Sequence, residues 1–315
     1  MSFTSAMPDP AASFELHRQR LRGLAYRMLG SMADAEDAVQ ETYLRWHAVD
    51  RDRVLEPRAF LMTTATRICL DMLTSARARR EEYVGPWLPE PVVDTAALAP
   101  DSRSELAEDL SYALLLILDR LSPLERAAFL LHDVFDFSFS EVATALERSE
   151  AACRQLASRA RAHVHAARPR GATTPPARSG VVDAKHAQLM SAFAAAARSG
   201  DLKALMQLLA SDARVVTDGG GKAQAELNVI EGADRVAQFL VDDTRKRPNA
   251  VWRKGLTMRF ATINGMPGAI VDAPEGPVQT VAFDIEADII RALYIVRNPD
   301  KLRHLKLTRN ESGPE

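Results

Sequence analysis

The spacing of apolar residues changes character along this chain, and that change limits the fold more than any other feature. Through residues 13–84 and 101–168 they recur every three or four positions, the period of helices that bury one stripe. Beyond residue 250 they run in short strand-like stretches, at 251–263, 268–273, 278–285 and 288–297. Prolines at 86, 89, 91 and 100 forbid a continuous helix between the first two pieces. Arg168–Gly180, rich in Pro, Gly and Thr, reads as a flexible polar linker. The pattern predicts a multidomain chain. Two all-α pieces occupy 13–84 and 101–168, a Pro-rich linker 85–100, a flexible linker 169–180, and an α+β piece 181–307.

Local signals sharpen this. Ser31 is placed to cap a helix with Asp34 three residues on, and Ala35, Ala38, Val39, Tyr43 and Trp46 follow as its apolar stripe. Pro57 suits a first helical turn, with Leu61, Ala65, Ile68 and Met72 as the stripe. Ser122-Pro123-Leu124-Glu125 is a capping box opening an apolar helix from Leu124 to Phe135. In the third piece, helices at Asp183–Arg198 and Asp201–Leu209 precede a Gly-rich turn at 218–221 and a further helix at Ala233–Leu240. Asn264-Gly265 between the first two strands is a hairpin signal, so the strands are expected to be antiparallel.

Composition narrows the class. The chain is 47% hydrophobic and 26% charged, too apolar for a disordered protein, with a net charge of −2. Its two cysteines, Cys69 and Cys153, are too few for a disulfide framework and sit in helical patterns as small core residues. No basic start followed by an apolar run marks a secretory signal, and the apolar run Leu114–Leu118 falls far below the roughly 20 residues a bilayer crossing needs. A cytoplasmic protein with no membrane partner is expected. Charge is nevertheless segregated. Acids outnumber bases seven to three across 34–56, while 148–170 holds six arginines against Glu150 alone. One acidic and one basic surface suggest two kinds of partner.

The basic stretch has a plan. Ser140–Leu146 makes a short helix with Val142, Ala143 and Leu146 inward; Arg148-Ser149 is a tight connector; a longer helix then buries Cys153, Leu156, Ala160 and Val164. Short helix, turn and longer basic helix form a helix-turn-helix, whose second helix enters the major groove. Its outer face carries Arg154, Gln155, Ser158 and Arg159, side chains able to read guanine and adenine edges. Arg161, with Arg168 and Arg170, is better placed for phosphates. An ordinary solvated arginine face has the same pattern. On the helix after Asp34, the outer face shows Asp37, Gln40, Glu41 and Leu44, an acidic surface with one exposed apolar residue that fits either a protein partner or solvent.

Together these residues resemble a family. Asp34-Ala-Glu-Asp-Ala-Val-Gln-Glu-Thr-Tyr-Leu-Arg-Trp46 is similar to the core-binding helix of extracytoplasmic-function sigma factors of bacterial RNA polymerase. Leu121–Leu131 with the helix-turn-helix resembles the promoter-reading domain of the same class. The resemblance spans about 13–168 and implies that Asp37, Gln40, Glu41 and Leu44 bind core RNA polymerase. Arg67 would handle the minus-ten element of promoter DNA, Arg77, Arg79 and Arg80 the DNA backbone, and Arg154, Gln155, Ser158 and Arg159 the minus-thirty-five element. The third piece resembles a SnoaL-like cone, and the fusion is similar to the sigma subfamily that ends in this domain. That subfamily shares Trp87-Leu88-Pro89-Glu90-Pro91, Asp218-Gly219-Gly220-Gly221-Lys222 and Asn298-Pro299-Asp300-Lys301-Leu302. The resemblance implies that the fused domain is a built-in regulator, and these three segments are expected to meet in one interdomain seam.

Several features carry no chemistry. Asp218–Lys222 lacks P-loop spacing, and His163 and His165 point from different helix faces, with no metal cluster around them. No cofactor and no metal is expected. An enzyme reading rests on the SnoaL-like cone, whose strands offer only Asp272, Asp284, Arg259 and Arg291. A paired Asp and Arg inside a cone cavity would favour it; a small-molecule ligand in the same pocket is the other alternative.

Overall fold

A computed structural model describes residues 10–50, 53–93, 110–167, 184–246 and 256–305. The chain divides into two compact units. One comprises 1–79, 96–108 and 113–168; the other comprises 80–95, 109–112 and 169–315. Residues 85–93, expected as part of a linker between the helical pieces, therefore belong to the C-terminal unit.

In the first unit, α1 (Pro10–Leu29), α2 (Met32–Ala48) and α3 (Pro57–Glu81) surround a core of Leu21, Leu24, Val39, Trp46 and Leu61, each no more than 2% exposed. Ser31 caps α2 as its sequence implies, its hydroxyl accepting from the Asp34 amide at 3.1 Å. The second helical part has α4 (Tyr112–Arg120) and α5 (Pro123–Phe129), α5 opening on the Ser122/Glu125 capping box. The expected helix from Leu124 to Phe135 is continuous as far as Val134, but it changes type on the way. After Phe129 the backbone widens into one π-helical turn, Leu130–Val134, and Asp136 turns left-handed at φ 58°. Leu130, Leu131 and Val134 are buried along that turn. Then come α6 (Phe139–Leu146) and α7 (Glu150–Ala167), the helix-turn-helix. Within α7 the buried stripe is Cys153, Ala157, Ala160 and Val164; Leu156, expected inside, is only half-buried.

The C-terminal unit has α8 (Ala184–Ser199), α9 (Leu202–Leu208), α10 (Ala233–Lys246), the short α11 (Pro299–Leu302), and strands β1 (Leu209–Asp218), β2 (Ile230–Glu231), β3 (Thr257–Ile263), β4 (Met266–Ala273), β5 (Gly276–Glu286) and β6 (Ile289–Val296). They form one sheet ordered β2-β1-β6-β5-β4-β3. Asn264 and Gly265, at φ 51° and 73°, make the expected hairpin turn between β3 and β4. One correction concerns β1: the residues before the Gly-rich turn are a strand, and it pairs parallel to β6, so the sheet is mixed. Residues 251–255 of the first expected strand lie outside the described residues. Phe193, Leu205, Val215, Val236, Phe283 and Leu293 form the core between helices and sheet. On the opposite sheet face, Tyr112 packs on Tyr294 with ring centroids 5.2 Å apart.

Candidate nucleic-acid interface and linker seam

Helix α7 presents Arg154, Gln155, Ser158 and Arg159 together to solvent. Ser149 caps its start, accepting from the Ala152 amide at 3.2 Å. A second capping box, Ser138/Glu141, fixes the start of α6; it is legible as Ser-x-x-Glu but lies two residues before the expected helix. Arg154 is not a loose side chain. It pairs with Glu150 at 2.6 Å, and its guanidinium lies 5.3 Å from the Phe139 ring centroid. Arg161, expected on phosphates, bonds Asp133 through Nε at 2.7 Å, a part-buried pair that ties α7 to the π-turn.

Arg67, expected at the minus-ten element, spends its donors inside the first unit. Its Nε and one terminal nitrogen donate to the Ala145 and Thr144 carbonyls at 3.1 and 2.8 Å, and Glu147 lies 3.2 Å away. Those carbonyls end α6, where the helix dipole favours a cation. Arg58 likewise donates to the Phe135 carbonyl at 2.6 Å, and buried Arg126 bonds Asp119 and the Met28 carbonyl. Arg77, Arg79 and Arg80 fall on the last turns of α3, but their side chains lie outside the described residues. On α2, Asp37, Gln40 and Leu44 are exposed and Glu41 is half-exposed, in an i,i+4 pair with Arg45 at 3.1 Å.

The three segments expected to form a seam do meet, wholly within the C-terminal unit. Asp218 at the end of β1 is their hub, fully buried. Its carboxylate accepts from the Tyr83 hydroxyl at 2.5 Å, the Leu88 amide at 2.8 Å and the Lys301 ammonium at 2.7 Å. Its carbonyl accepts from the Arg297 and Asn298 amides. Lys301, itself buried, also donates to the Leu88 carbonyl at 2.5 Å, and its ammonium lies 4.4 Å from the Trp87 ring centroid and 4.9 Å from that of Tyr83. Leu88, Pro89 and Leu302 are buried, while Pro299 is exposed. Asn298 caps α11 through the Asp300 amide and donates to the Tyr83 hydroxyl at 2.8 Å. Lys222 pairs with Asp300, whose carboxyl is held below the usual range chiefly by that hydrogen bond.

The glycines are there for close approach. A Cβ on Gly220, at φ 57°, would stand 2.2 Å from the Asn298 side chain and 2.7 Å from the Tyr83 hydroxyl. A Cβ on Gly219 would collide with the Ala223 carbonyl at 2.1 Å. Further along, Asn264 exchanges two bonds with Val92, at 2.7 and 2.9 Å, and His304 contacts the Pro91 carbonyl at 2.7 Å. Tyr83, Asn264 and His304 carry no sequence signal for this role; only Asn264 stands out, and then as a turn residue.

The charged residues picked from the strands do not converge on a cavity. Arg259 pairs with Asp272 on the β3–β4 hairpin at 2.8 Å, and Arg291 reaches Glu286 and Asp212 at the surface. The buried Asp–Arg pair is a different one. Arg297 and Asp243 bond twice, at 3.3 and 2.6 Å, and Arg297 also donates to Gln279 at 2.6 Å. Asp243 lines a groove of about 690 Å³ beside α10, with Glu226, Asp234, Gln238, Phe239 and Asp242.

Comparison with known proteins agrees with this anatomy. The Sigma-70 region 2 family model matches residues 14–79, and the Sigma-70 region 4 model matches 111–164. ECF RNA polymerase sigma factor SigJ of Mycobacterium tuberculosis is 38% identical over 311 residues, 96% of this chain and 96% of that protein. Probable ECF sigma factor SigI of the same species is 30% identical over 305 residues, 95% of this chain and 97% of that protein. The crystal structure of M. tuberculosis SigJ superposes with a TM-score of 0.69 at 34% identity, covering 92% of this chain and 97% of that one.

Proposed function

The chain belongs to the extracytoplasmic-function sigma factors of bacterial RNA polymerase, and on that premise we propose how its parts share the work of promoter-directed transcription initiation. The observation that carries the reading is the ordered pair of sigma regions, the second built as a helix-turn-helix with four exposed polar side chains on one face. Arg154, Gln155, Ser158 and Arg159 read the upstream promoter element; Asp37, Gln40, Glu41 and Leu44 dock on core polymerase; and Arg67, Arg77, Arg79 and Arg80 follow the downstream element. The protein works in the cytoplasm. Among the described residues no helix is long and apolar enough to cross a membrane.

The C-terminal unit acts as a regulator through the Tyr83–Val92 segment, because it holds the chain that leads from one sigma region to the next. A shift in that unit is transmitted along covalent chain to both promoter-reading parts. Support comes from the buried Asp218–Lys301 pair and from the bonds that side chains of the unit make to the backbone of Leu88 and Val92. The unit has no catalytic role. Its buried Arg297–Asp243 pair is committed on both carboxylate oxygens and braces α10 to the sheet, which leaves the groove beside it to ligands.

Run-off transcription with core polymerase tests the proposal. The full chain should give promoter-dependent transcripts, and Asp37→Arg with Glu41→Arg should abolish them while leaving the helical circular dichroism intact. Lys301→Met should alter transcript yield with DNA-reading residues untouched. Absence of promoter-dependent transcripts from the full chain would overturn the assignment, and wild-type yield from Lys301→Met would remove the regulatory role of the seam.

A further inference from the structure

Arg154 sits one turn into α7, where helix-turn-helix proteins place base-contacting residues. An arginine there faces an entropic problem: its free side chain carries rotamer entropy that a base contact must overcome. Here that freedom is already restricted. The guanidinium lies over the ring of Phe139, the first residue of α6, at 5.3 Å. The Phe139 ring is itself fixed by stacking with His132, with centroids 3.9 Å apart and planes inclined by 26°. The imidazole in turn is anchored by Nδ1 against the Phe137 carbonyl at 2.7 Å. A chain of contacts thus runs from the π-helical turn, through two stacked rings, to one guanidinium on the recognition helix.

The geometry of a guanidinium makes this arrangement useful. Stacking engages its π-face, whereas its N–H donors lie in the plane and point outward. A guanine edge is read by two in-plane donors, so an arginine lying on an aromatic ring retains the donors that reading requires. The ion pair with Glu150 differs, since it occupies one terminal nitrogen of Arg154. Glu150 must yield that donor to a base, whereas the Phe139 ring accepts no ion pair from Arg154.

We infer that Phe139, backed by His132, is a positioning residue that presents Arg154 edge-on to a base pair of the upstream promoter element and so sets specificity there. This rests on the reading of Arg154 as a base-contacting residue, and the test separates the two. Duplexes selected by the full chain with core polymerase from a randomised pool serve as the probe. Affinities are then measured at fixed salt for the selected duplex and for each single-base-pair variant. Arg154→Ala should erase the preference at one base pair. Phe139→Met, similar in volume but without a ring, should weaken the preference at that same base pair about two- to fivefold, the worth of an exposed cation–π contact. Phe139→Tyr should retain it, and neither variant should change affinity for an unrelated duplex. Equal preferences in Phe139→Met and Phe139→Tyr, with Arg154→Ala still erasing its base pair, would overturn the positioning role. Unchanged preferences in Arg154→Ala would overturn the base-reading assignment, and the positioning role with it.

Discussion

Among single residues, Asp218 and Lys301 concentrate the most physics. A lysine rarely lies buried unless paired, and this one has a carboxylate, a carbonyl and two aromatic rings around it. Removing one partner of a buried pair costs about 3–5 kcal/mol, because the other is left charged in a poor solvent. Lys301→Met and Asp218→Asn should each lower the melting temperature of the C-terminal unit, and the double variant should cost less than the two added together. Additive losses in calorimetry would show that the two side chains act separately. Tyr83 adds a pH signature. Burial first, and then its hydrogen bond to Asp218, hold its hydroxyl well above the ordinary tyrosine range. A raised pKa means that the folded state favours the proton, so this contribution is complete below pH of about 10 and is lost as pH rises past it. Tyr83→Phe should therefore be less stable than wild type at neutral pH yet show a shallower alkaline decline, measured by denaturant unfolding between pH 8 and 11. The resemblance led to the expectation that the segments of Leu88, Asp218 and Lys301 meet, but the individual pairings were not legible in the chain. Asp218 and Lys301 stood out by motif, but nothing local says that a lysine near the C-terminus neutralises an aspartate at the end of a strand, or that Tyr83 joins them.

Helices and strands divide by how local their causes are. The starts of α2 and α5 could be read from Ser31 and Ser122 because a cap is a contact three residues long. The β3–β4 hairpin was equally legible in Asn264-Gly265. Strand β1 was not, since Leu209 follows α9 without a break and most of the strand's pairing is with β6 from the far end of the domain. The π-turn after Phe129 has no sequence signature either, since Leu130, Leu131 and Val134 lie at the spacing of an ordinary helical face. The loop after β1 lies between these cases. Its glycines signalled a turn, but their purpose is steric, since Gly220 passes against Asn298 and Tyr83. Gly220→Ala, which adds a left-handed penalty of roughly 1–2 kcal/mol to a clash, should loosen the 83–92 segment. Limited proteolysis should then cut near Tyr83–Trp87 faster than in wild type, with the cleavage rate in α7 unchanged.

The whole molecule is governed by arginines used twice and by a chain that doubles back. Within the first unit Arg67 occupies the carbonyl end of α6, so the residue proposed for the downstream promoter element also fastens one sigma region to the other. Glu147→Ala should weaken that fastening and raise promoter affinity, by up to about fivefold for a surface pair, whereas Arg67→Ala should lower it. Fluorescence anisotropy at fixed salt decides; if both variants move the same way, the contact does not compete with DNA. The doubling back has a consequence for biosynthesis. Leu88 is bonded to Lys301, 213 residues later, so the segment carrying Leu88 and Val92 leaves the ribosome long before the surface that buries it exists. At 5–20 residues per second the delay is about 10–40 s. During that time the first sigma region is already made while Leu88, which the C-terminal domain later buries, is still bare.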